Sequence, residues 1–124
     1  MFSVDPVTYE IKLSVGDTGA VKITASGHTF ESTDRALFTV KDTTGAVVLE
    51  RVYELTDSNL ENGEFIVNFA NADTDSLQPG GYSWDVRYVL TPYYDTTGRI
   101  ISGDQVITPM EALTLTLLPV VGEV

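Results

Sequence analysis

The chain has 124 residues, the length of one domain, and can bury roughly two-thirds of the surface that its unfolded form exposes. It has no cysteine, which excludes disulfides, thiolate metal sites and a thiol nucleophile. Eighteen acidic residues against seven basic ones give a net charge of −11, which repels phosphate backbones and argues against nucleic acid as a partner. We therefore expect one domain over residues 1–124.

The first ten residues, MFSVDPVTYE, lack the basic start and apolar run of a secretory signal. No apolar run approaches the roughly 18 residues that a membrane span needs. We therefore expect neither export nor a membrane partner, and the missing cysteines suit a reducing cytoplasm.

Alternating apolar residues predict strands in the first half of the chain, since strand side chains repeat with period two. Turns rich in Gly, Asp and Thr separate them, at residues 16–19 and again at residues 42–45. The predicted strands are residues 7–15, residues 20 to about 26, a strand marked by Ala36, Phe38 and Val40, and residues 46–55, with Val47, Leu49, Tyr53 and Leu55 facing in and Arg51 interrupting.

The second half continues the pattern around an aromatic strand. Phe65, Val67 and Phe69 mark a strand, followed by a short helical turn near residues 72–77 that Asn71 or Asp73 can cap. In residues 77–91, LQPGGYSWDVRYVLT, a polar turn leads into a strand whose inner face is nearly all large. That inner face, which we predict to be buried between two sheets, consists of Tyr82, Trp84, Val86, Tyr88 and Leu90.

The C-terminal part allows two interpretations. After a turn at residues 95–98, strand patterns cover residue 99 to about 107 and residues 111–118, as one kinked strand or as two, and Gly103 and Pro109 favour a break. We predict that residues 112–118 are an uncharged edge strand that docks on a neighbouring chain together with the apolar tail; the alternative is internal pairing with a fraying tail. The contact residues so predicted are Leu113, Leu115, Leu117, Val120 and Val121.

Short strands with a turn between each pair predict an all-β fold, an antiparallel immunoglobulin-like β-sandwich of about seven or eight strands. The start of the aromatic strand supports this architecture. In such sandwiches a Tyr near the start of one strand bonds back to the preceding corner, and Tyr82 has that position.

Candidate chemical sites are few. His28 is the single histidine and has no cysteine or second histidine to share a metal. Residues 57–61 and 71–75 alternate oxygen ligands as a calcium loop does, but they lack its Gly and its bidentate Glu, because Asn62 and Asn68, or Ser76 and Tyr82, stand there. A calcium site shared by two loops is the alternative to simple turn bonding. We predict no catalytic residue, no cofactor and no metal, and hence no enzyme.

Tyr93 and Tyr94 follow Pro92 in a segment that ought to be a loop. Two adjacent tyrosines at the end of a sandwich suit a partner contact, because tyrosine offers apolar area at low entropic cost. The alternative is that one of them folds back over the end of the sandwich.

Four segments resemble the small immunoglobulin-like domains of phage and prophage virions, above all the N-terminal domain of baseplate upper proteins from phages of Gram-positive bacteria. The likeness spans roughly residues 7–120, although residues 98–109 are longer than that pattern. The segments are LSVGDT at residues 13–18, ALFTVKD at 36–42, DTDSLQPGGY at 73–82 and LLP at 117–119.

The resemblance implies a non-enzymatic virion structural protein of the baseplate, the tail or the head decoration, made in the cytoplasm of the host bacterium. Its partners would be other virion proteins and possibly further copies of itself. The alternative is a surface adhesion or glycan-binding module with a host glycan as ligand, because one fold supports several functions.

Overall fold

The computed structural model describes residues 2–25, 28–55 and 63–120. Within them the chain is all-β, with a single helical turn, α1 (Asn71–Thr74). The strands are β1 (Phe2–Val4), β2 (Ile11–Ser14), β3 (Gly19–Ile23), β4 (Arg35–Lys41), β5 (Val47–Glu54), β6 (Phe65–Phe69), β7 (Gly80–Tyr94) and β8 (Ile100–Leu118).

The strands form a six-stranded sheet in the order β1-β2-β8-β7-β4-β5 and a two-stranded sheet, β3-β6. The larger sheet is mixed and curls into a half-barrel. The expectation of purely antiparallel pairing is wrong at one place, because β2 runs parallel to β8 with Ile11 opposite Leu115. Parallel neighbours need a long connection, and nearly the whole chain lies between these two strands.

The core lies between the two sheets, as the alternation predicted for β4, β6 and β7. Phe38 of the larger sheet packs against Phe69 of the smaller one, with ring centroids 5.9 Å apart. Trp84 lies 5.6 Å from Phe38, is 3% exposed, and donates its indole N–H to the carbonyl oxygen of Thr114 at 3.2 Å. The predicted burial of Trp84 is confirmed.

The tyrosine at the start of β7 makes the predicted bond to the preceding corner. The Tyr82 hydroxyl donates to the carbonyl oxygen of Gln78 at 2.6 Å. Further along the same strand face, the buried hydroxyl of Tyr88 donates to the carbonyl oxygen of Gly63 at 2.5 Å, so the polar ends of both rings are satisfied.

Two hairpins close on the same four residues, Asp-Thr-Thr-Gly, at residues 42–45 and 95–98. In each turn the Asp Oδ1 accepts hydrogen bonds from the hydroxyl and the amide of the second Thr, at 2.6 and 2.9 Å in the first turn and 2.6 and 2.8 Å in the second. Gly45 and Gly98 both have φ +85°, a conformation that glycine adopts without a steric penalty. Both predicted turns are confirmed.

The predicted first strand, residues 7–15, is wrong in its first half. Asp5 Oδ1 accepts hydrogen bonds from the amides of Val7 and Thr8 at 2.8 and 3.0 Å, so residues 5–9 form a turn and β2 begins only at Ile11. Val7 is 84% exposed and Tyr9 has φ 60°. The turn connects β2 to β1, a three-residue strand too short to show a period.

The predicted inward set of β5 needs one correction. The pairing of β4 with β5 shifts at Val40/Lys41, which turns Val47 outward and packs Val48 against the core instead. Arg51 remains on the inner face, where it forms an ion pair with Asp73 of α1. Arg51, the predicted interruption of the inner face, is thus paired with a carboxylate while 39% of its side-chain area remains exposed.

The helical turn is shorter than predicted, Asn71–Thr74 rather than residues 72–77, and Ala70 is its N-cap residue. Asp73 Oδ2 accepts the amide of Ala70 at 2.7 Å, so Asp73 bonds back from the third position of the turn to its N-cap residue and does not cap the free amides of the turn as predicted. Asn71 instead donates its side-chain amide to the carbonyl oxygen of Gly16 at 2.8 Å, and thereby joins α1 to the turn after β2.

Candidate functional site

The C-terminal part is one strand, β8, which answers the question that the sequence left open. The break expected at Pro109 is replaced by bulges, at which β8 places two residues against one of β7, whereas Gly103 stays in register opposite Pro92 and no break occurs there. Trp84 pairs with Leu113, Val86 with Met110 and Tyr88 with Ile107. Pro109 lies in the second of these bulges, one of the positions where a sheet tolerates proline.

The distal part of the β7–β8 hairpin, residues 90–106, is here called the arm. Pairing between β4 and β7 ends at Val89, so β7 residues beyond it pair only with β8. The arm bends at Thr91, whose φ is 48° and whose amide donates to Asp34 Oδ1 at 3.0 Å. Asp34 is buried and also accepts the amide of Glu31 through Oδ2, so it anchors the bend to the loop before β4.

Gly103 allows the arm to fold over the sheet. A Cβ atom at this position would lie 2.5 Å from Val89 Cγ1 and 2.7 Å from the carbonyl oxygen of Leu90. Both distances are too short for any side chain, and one of the two atoms belongs to the backbone. Glycine is therefore required for the close approach of the two strands at the bend.

The arm folds back across the outer face of β4, β5 and β7, where Arg99 forms an ion pair with Glu50 at 3.8 Å. Between the arm and the sheet lies a cleft of about 330 Å³, here called the outer cleft. Its floor consists of Leu37, Thr39 and Lys41 from β4, Val47 and Glu50 from β5, and Asp85, Arg87 and Val89 from β7, and its roof of Arg99, Ile100, Ile101, Ser102 and Val106 from the arm.

Apolar side chains are exposed around the outer cleft. Ile101 is 63% exposed, and Val47 and Val106 are about half exposed. Val52, on the outward-facing side of β5, is also half exposed, whereas Val89 beneath the arm is buried. These residues form an apolar rim and floor on a face that packs against nothing else in the described part of the chain.

Tyr93 and Tyr94 lie in β7, paired with Ser102 and Ile100, and not in a loop as the sequence suggested. Each is 49% exposed, so both rings present part of their area to solvent. The Tyr93 hydroxyl donates to Asp104 Oδ1 across the arm, and this hydrogen bond raises the pKa of Tyr93. The expected contact role of the two tyrosines stays a prediction.

The expectation that residues 112–118 form an uncovered edge strand is wrong. This part of β8 lies between β2 and β7, and Leu115 and Leu117 are 2% and 1% exposed. Leu113 also packs against the core, so of the predicted C-terminal contacts Val120 is on the surface and Val121 lies outside the described residues. The parallel partner is remote in sequence and could not be read from the segment itself.

The second acidic loop uses its oxygens within the fold. Asp73 Oδ1 binds Arg51 and Asp73 Oδ2 accepts the Ala70 amide, while Asn71 donates its side-chain N–H to the Gly16 carbonyl oxygen. The first loop, residues 57–61, lies outside the described residues, as do residues 26 and 27. In residues 2–25, 28–55 and 63–120, no group of three or more His, Cys, Asp or Glu residues is placed to hold a metal, and His28 packs edge-on against Phe30 at 4.6 Å.

We predict that calcium does not stabilise this protein. Millimolar calcium and an excess of chelator should give the same melting temperature, because the Asp73 carboxylate is already occupied by Arg51 and a backbone amide. A bound ion adds several kcal/mol when its concentration is far above its dissociation constant. A calcium-dependent rise of several degrees in thermal unfolding would contradict the prediction and place a site elsewhere in the chain.

The two Asp-Thr-Thr-Gly turns should weaken in acid. The hydrogen bond from the Thr97 hydroxyl, followed by those from the Arg99 and Thr97 amides, lowers the pKa of Asp95 below its ordinary value; Asp42 is lowered in the same way. A carboxyl whose pKa is lowered by folding contributes its full stabilisation at pH values above the unfolded pKa of about 3.9. That contribution to stability is lost as the pH falls through the lower, folded-state pKa. Carboxyl NMR titration should show both groups protonating at lower pH than in the urea-unfolded chain; equal midpoints would contradict this.

Comparison of the chain with protein-family models, with curated proteins and with solved structures gave no match. In the described part of the chain, none of the helical structure is long and apolar enough to cross a membrane. The arm and the outer cleft are therefore interpreted from their own geometry.

Proposed function

We propose that this chain is a non-enzymatic virion structural protein with an immunoglobulin-like sandwich fold, a phage component of the baseplate, the tail or the head decoration that acts by protein–protein assembly. The sequence resemblance to phage immunoglobulin-like domains is one support. The Tyr82–Gln78 bond at the corner before β7 is another, since sandwiches of this class carry such a tyrosine.

The observation that carries the proposal is the arm. Pairing of β7 with β4 ends at Val89. The hairpin nevertheless continues beyond this point and presents Tyr93, Tyr94 and Ile101 to solvent. Exposed tyrosine and large apolar side chains are enriched at protein interaction sites. Burial against a neighbouring subunit would give this extension the packing that the chain's own core does not supply.

The sheet edge at β5 offers a weaker docking element than the arm. β5 is an edge of the larger sheet, and its outward side chains include Glu50 and Glu54. Charged residues on an edge strand discourage pairing with another copy. The net charge of −11 acts in the same direction and keeps free subunits apart before assembly.

Particle incorporation tests the proposal. In cells that carry the gene and produce particles, purified particles should contain this chain, and a variant with Tyr93→Ser, Tyr94→Ser and Ile101→Ser should be strongly depleted from them. Val7→Ser is the matched control, because Val7 is the most exposed of the large apolar residues that the structure describes and lies outside the arm. Unchanged incorporation of the arm variant, or absence of the wild-type chain from particles, would contradict the proposal.

A second candidate function is glycan binding, which the half-exposed rings of Tyr93 and Tyr94 favour, because sugar rings stack on exposed aromatic faces. The two candidates differ in a simple assay. A glycan-binding module would retain purified host-surface polysaccharide in a sedimentation assay and lose it on Tyr94→Ser, whereas an assembly protein would not bind the polysaccharide.

A further inference from the structure

The cations of this acidic chain are not distributed evenly. The chain has seven Lys and Arg residues against eighteen Asp and Glu residues. Five of the seven cationic side chains lie within 4.0 Å of a carboxylate in the described residues. The two that have no such partner there are Lys41 and Arg87, and both lie in the floor of the outer cleft. The five that are paired are Lys12, Lys22, Arg35, Arg51 and Arg99.

The strand register places these two cations on one face. Leu37 pairs with Arg87 and Lys41 with Ser83, so Lys41 and Arg87 point to the outer side of adjacent strands. Asp85 stands between their rows, and its Oδ1 is buried without a hydrogen-bond partner in the described residues. Glu50, the other carboxylate of the cleft, is already paired with Arg99.

The outer cleft is therefore a local exception to the charge of the whole chain. It is lined by three cations (Lys41, Arg87, Arg99) and two carboxylates (Glu50, Asp85), a sum of +1, whereas the chain carries −11. At physiological ionic strength the Debye length is about 8 Å, so charges within the cleft dominate over acids on distant surfaces. An acidic group that reaches the floor would meet Lys41 and Arg87, which form no ion pair within the described residues, although the Asp85 carboxylate lies in the register row between them.

The two walls of the cleft differ in character. The floor carries the cations Lys41 and Arg87 beside the carboxylates Glu50 and Asp85, whereas the roof carries the apolar side chains of Ile100, Ile101 and Val106 beside Arg99. An extended peptide between two walls turns successive side chains to opposite sides, because strand side chains repeat with period two. A segment in which acidic and apolar residues alternate would place its carboxylates on the floor and its apolar groups under the arm.

We propose that the outer cleft binds an extended segment of a partner protein in which acidic and apolar residues alternate. The proposal rests on the proposed assembly function and names the chemistry of the partner. Charge-assisted hydrogen bonds from Arg87 and Lys41 to carboxylates give the register, and burial of Ile101, Val106 and Val47 gives the apolar contribution. Lys41 and Arg87 would thus allow this acidic chain to bind an acidic segment of its partner.

The test uses the full chain, labelled with ¹⁵N, and two short capped peptides of equal length, one alternating Glu and Val and the other alternating Lys and Val. The Glu-Val peptide should shift the amide resonances of Lys41, Arg87 and Ile101, and its affinity should fall as salt is raised. The Lys-Val peptide should leave these resonances unchanged. A capped peptide alternating Glu and Ser should bind more weakly, since it lacks the groups that the arm would bury.

A double charge reversal, Lys41→Glu with Arg87→Glu, should weaken Glu-Val binding by at least about tenfold. Lys12→Glu with Lys22→Glu is the matched control, because it changes the net charge equally at two exposed lysines outside the cleft and should leave binding unchanged. Absence of Glu-Val binding, equal binding of the Lys-Val peptide, shifts elsewhere, or an equal loss in the control variant would each overturn the proposal. Self-association with shifts at the cleft would also overturn it, since a second copy would then be the occupant.

Failure of this inference can be distinguished from failure of the proposed function. If the Glu-Val peptide does not bind but the arm variant is still lost from particles, the chemistry assigned to the cleft is wrong and the assembly function stands. If the peptide binds as expected but particles lack this chain, the cleft stands and the virion role is wrong.

Discussion

Replacement of Trp84 by alanine should lower the free energy of unfolding by about 3–5 kcal/mol, the largest effect we expect from one substitution. Trp84 is almost fully buried, packs on Phe38 and lies opposite Leu113 of β8. Its removal would leave a cavity between the two sheets. It would also leave the Thr114 carbonyl oxygen without the indole N–H that now binds it.

Urea unfolding followed by circular dichroism measures this loss without relying on the tryptophan that is removed. Tyr94→Ala is the control, because its ring is half exposed and its loss should change the stability by about 0.5 kcal/mol or less. Native Trp84 fluorescence should be shifted to the blue of free tryptophan. Emission like that of the free amino acid, or a loss of stability similar to the control's, would contradict the burial of Trp84.

The strands that the sequence predicted well are those whose period is local and complete. β4, β6 and the first half of β7 alternate without interruption, and their buried faces match the expected Phe38, Phe65, Trp84 and Tyr88. The Tyr82 bond could be predicted because its acceptor lies four residues earlier in the chain. In these segments the residues that determine the local structure are close together in the sequence.

The errors have two causes: a local side-chain hydrogen bond that competes with the strand, and a strand partner that is remote in the sequence. Val7 and Tyr9 continue the period of β2, but the Asp5 carboxylate holds the backbone in a turn, and a side-chain cap of this kind overrides alternation. Leu115 and Leu117 had the pattern of an exposed edge because β2, which covers them, lies at the other end of the chain. Alternation gives the buried face of a strand but not its neighbours in the sheet.

The candidate site was partly visible in the sequence. Tyr93 and Tyr94 could be singled out, because a pair of tyrosines after Pro92 is unusual in a turn region. The outer cleft could not, since its walls come from β4, β5, β7 and the arm. One signal was present: residues 98–109 are longer than the pattern expected for the proposed fold, and residues 98–106 of this segment lie in the arm.

The second large effect is expected at Gly103. In Gly103→Ala the new Cβ would lie 2.7 Å from the carbonyl oxygen of Leu90 and 2.5 Å from Val89 Cγ1, so the strands of the arm must separate. Such overpacking typically costs about 1–3 kcal/mol. The disturbance should be confined to the arm and the outer cleft, because Trp84 and Phe38 pack on the opposite face of the sheet.

Hydrogen exchange tests where the Gly103→Ala change acts. Amides of residues 90–106 should lose protection, while those of β4 facing β5 should keep it and Trp84 emission should not change. Gly81→Ala is the matched control, since Gly81 also lies in the β7–β8 pairing but a Cβ there has no atom within 4 Å.

Peptide binding gives a second readout of the same change. Gly103→Ala leaves Lys41 and Arg87 intact, so loss of Glu-Val peptide binding in this variant, but not in Gly81→Ala, would show that binding at the two cations requires the arm above them. Wild-type protection of the arm in Gly103→Ala would mean that the arm does not fold against the sheet as described, and the outer cleft would lose its roof.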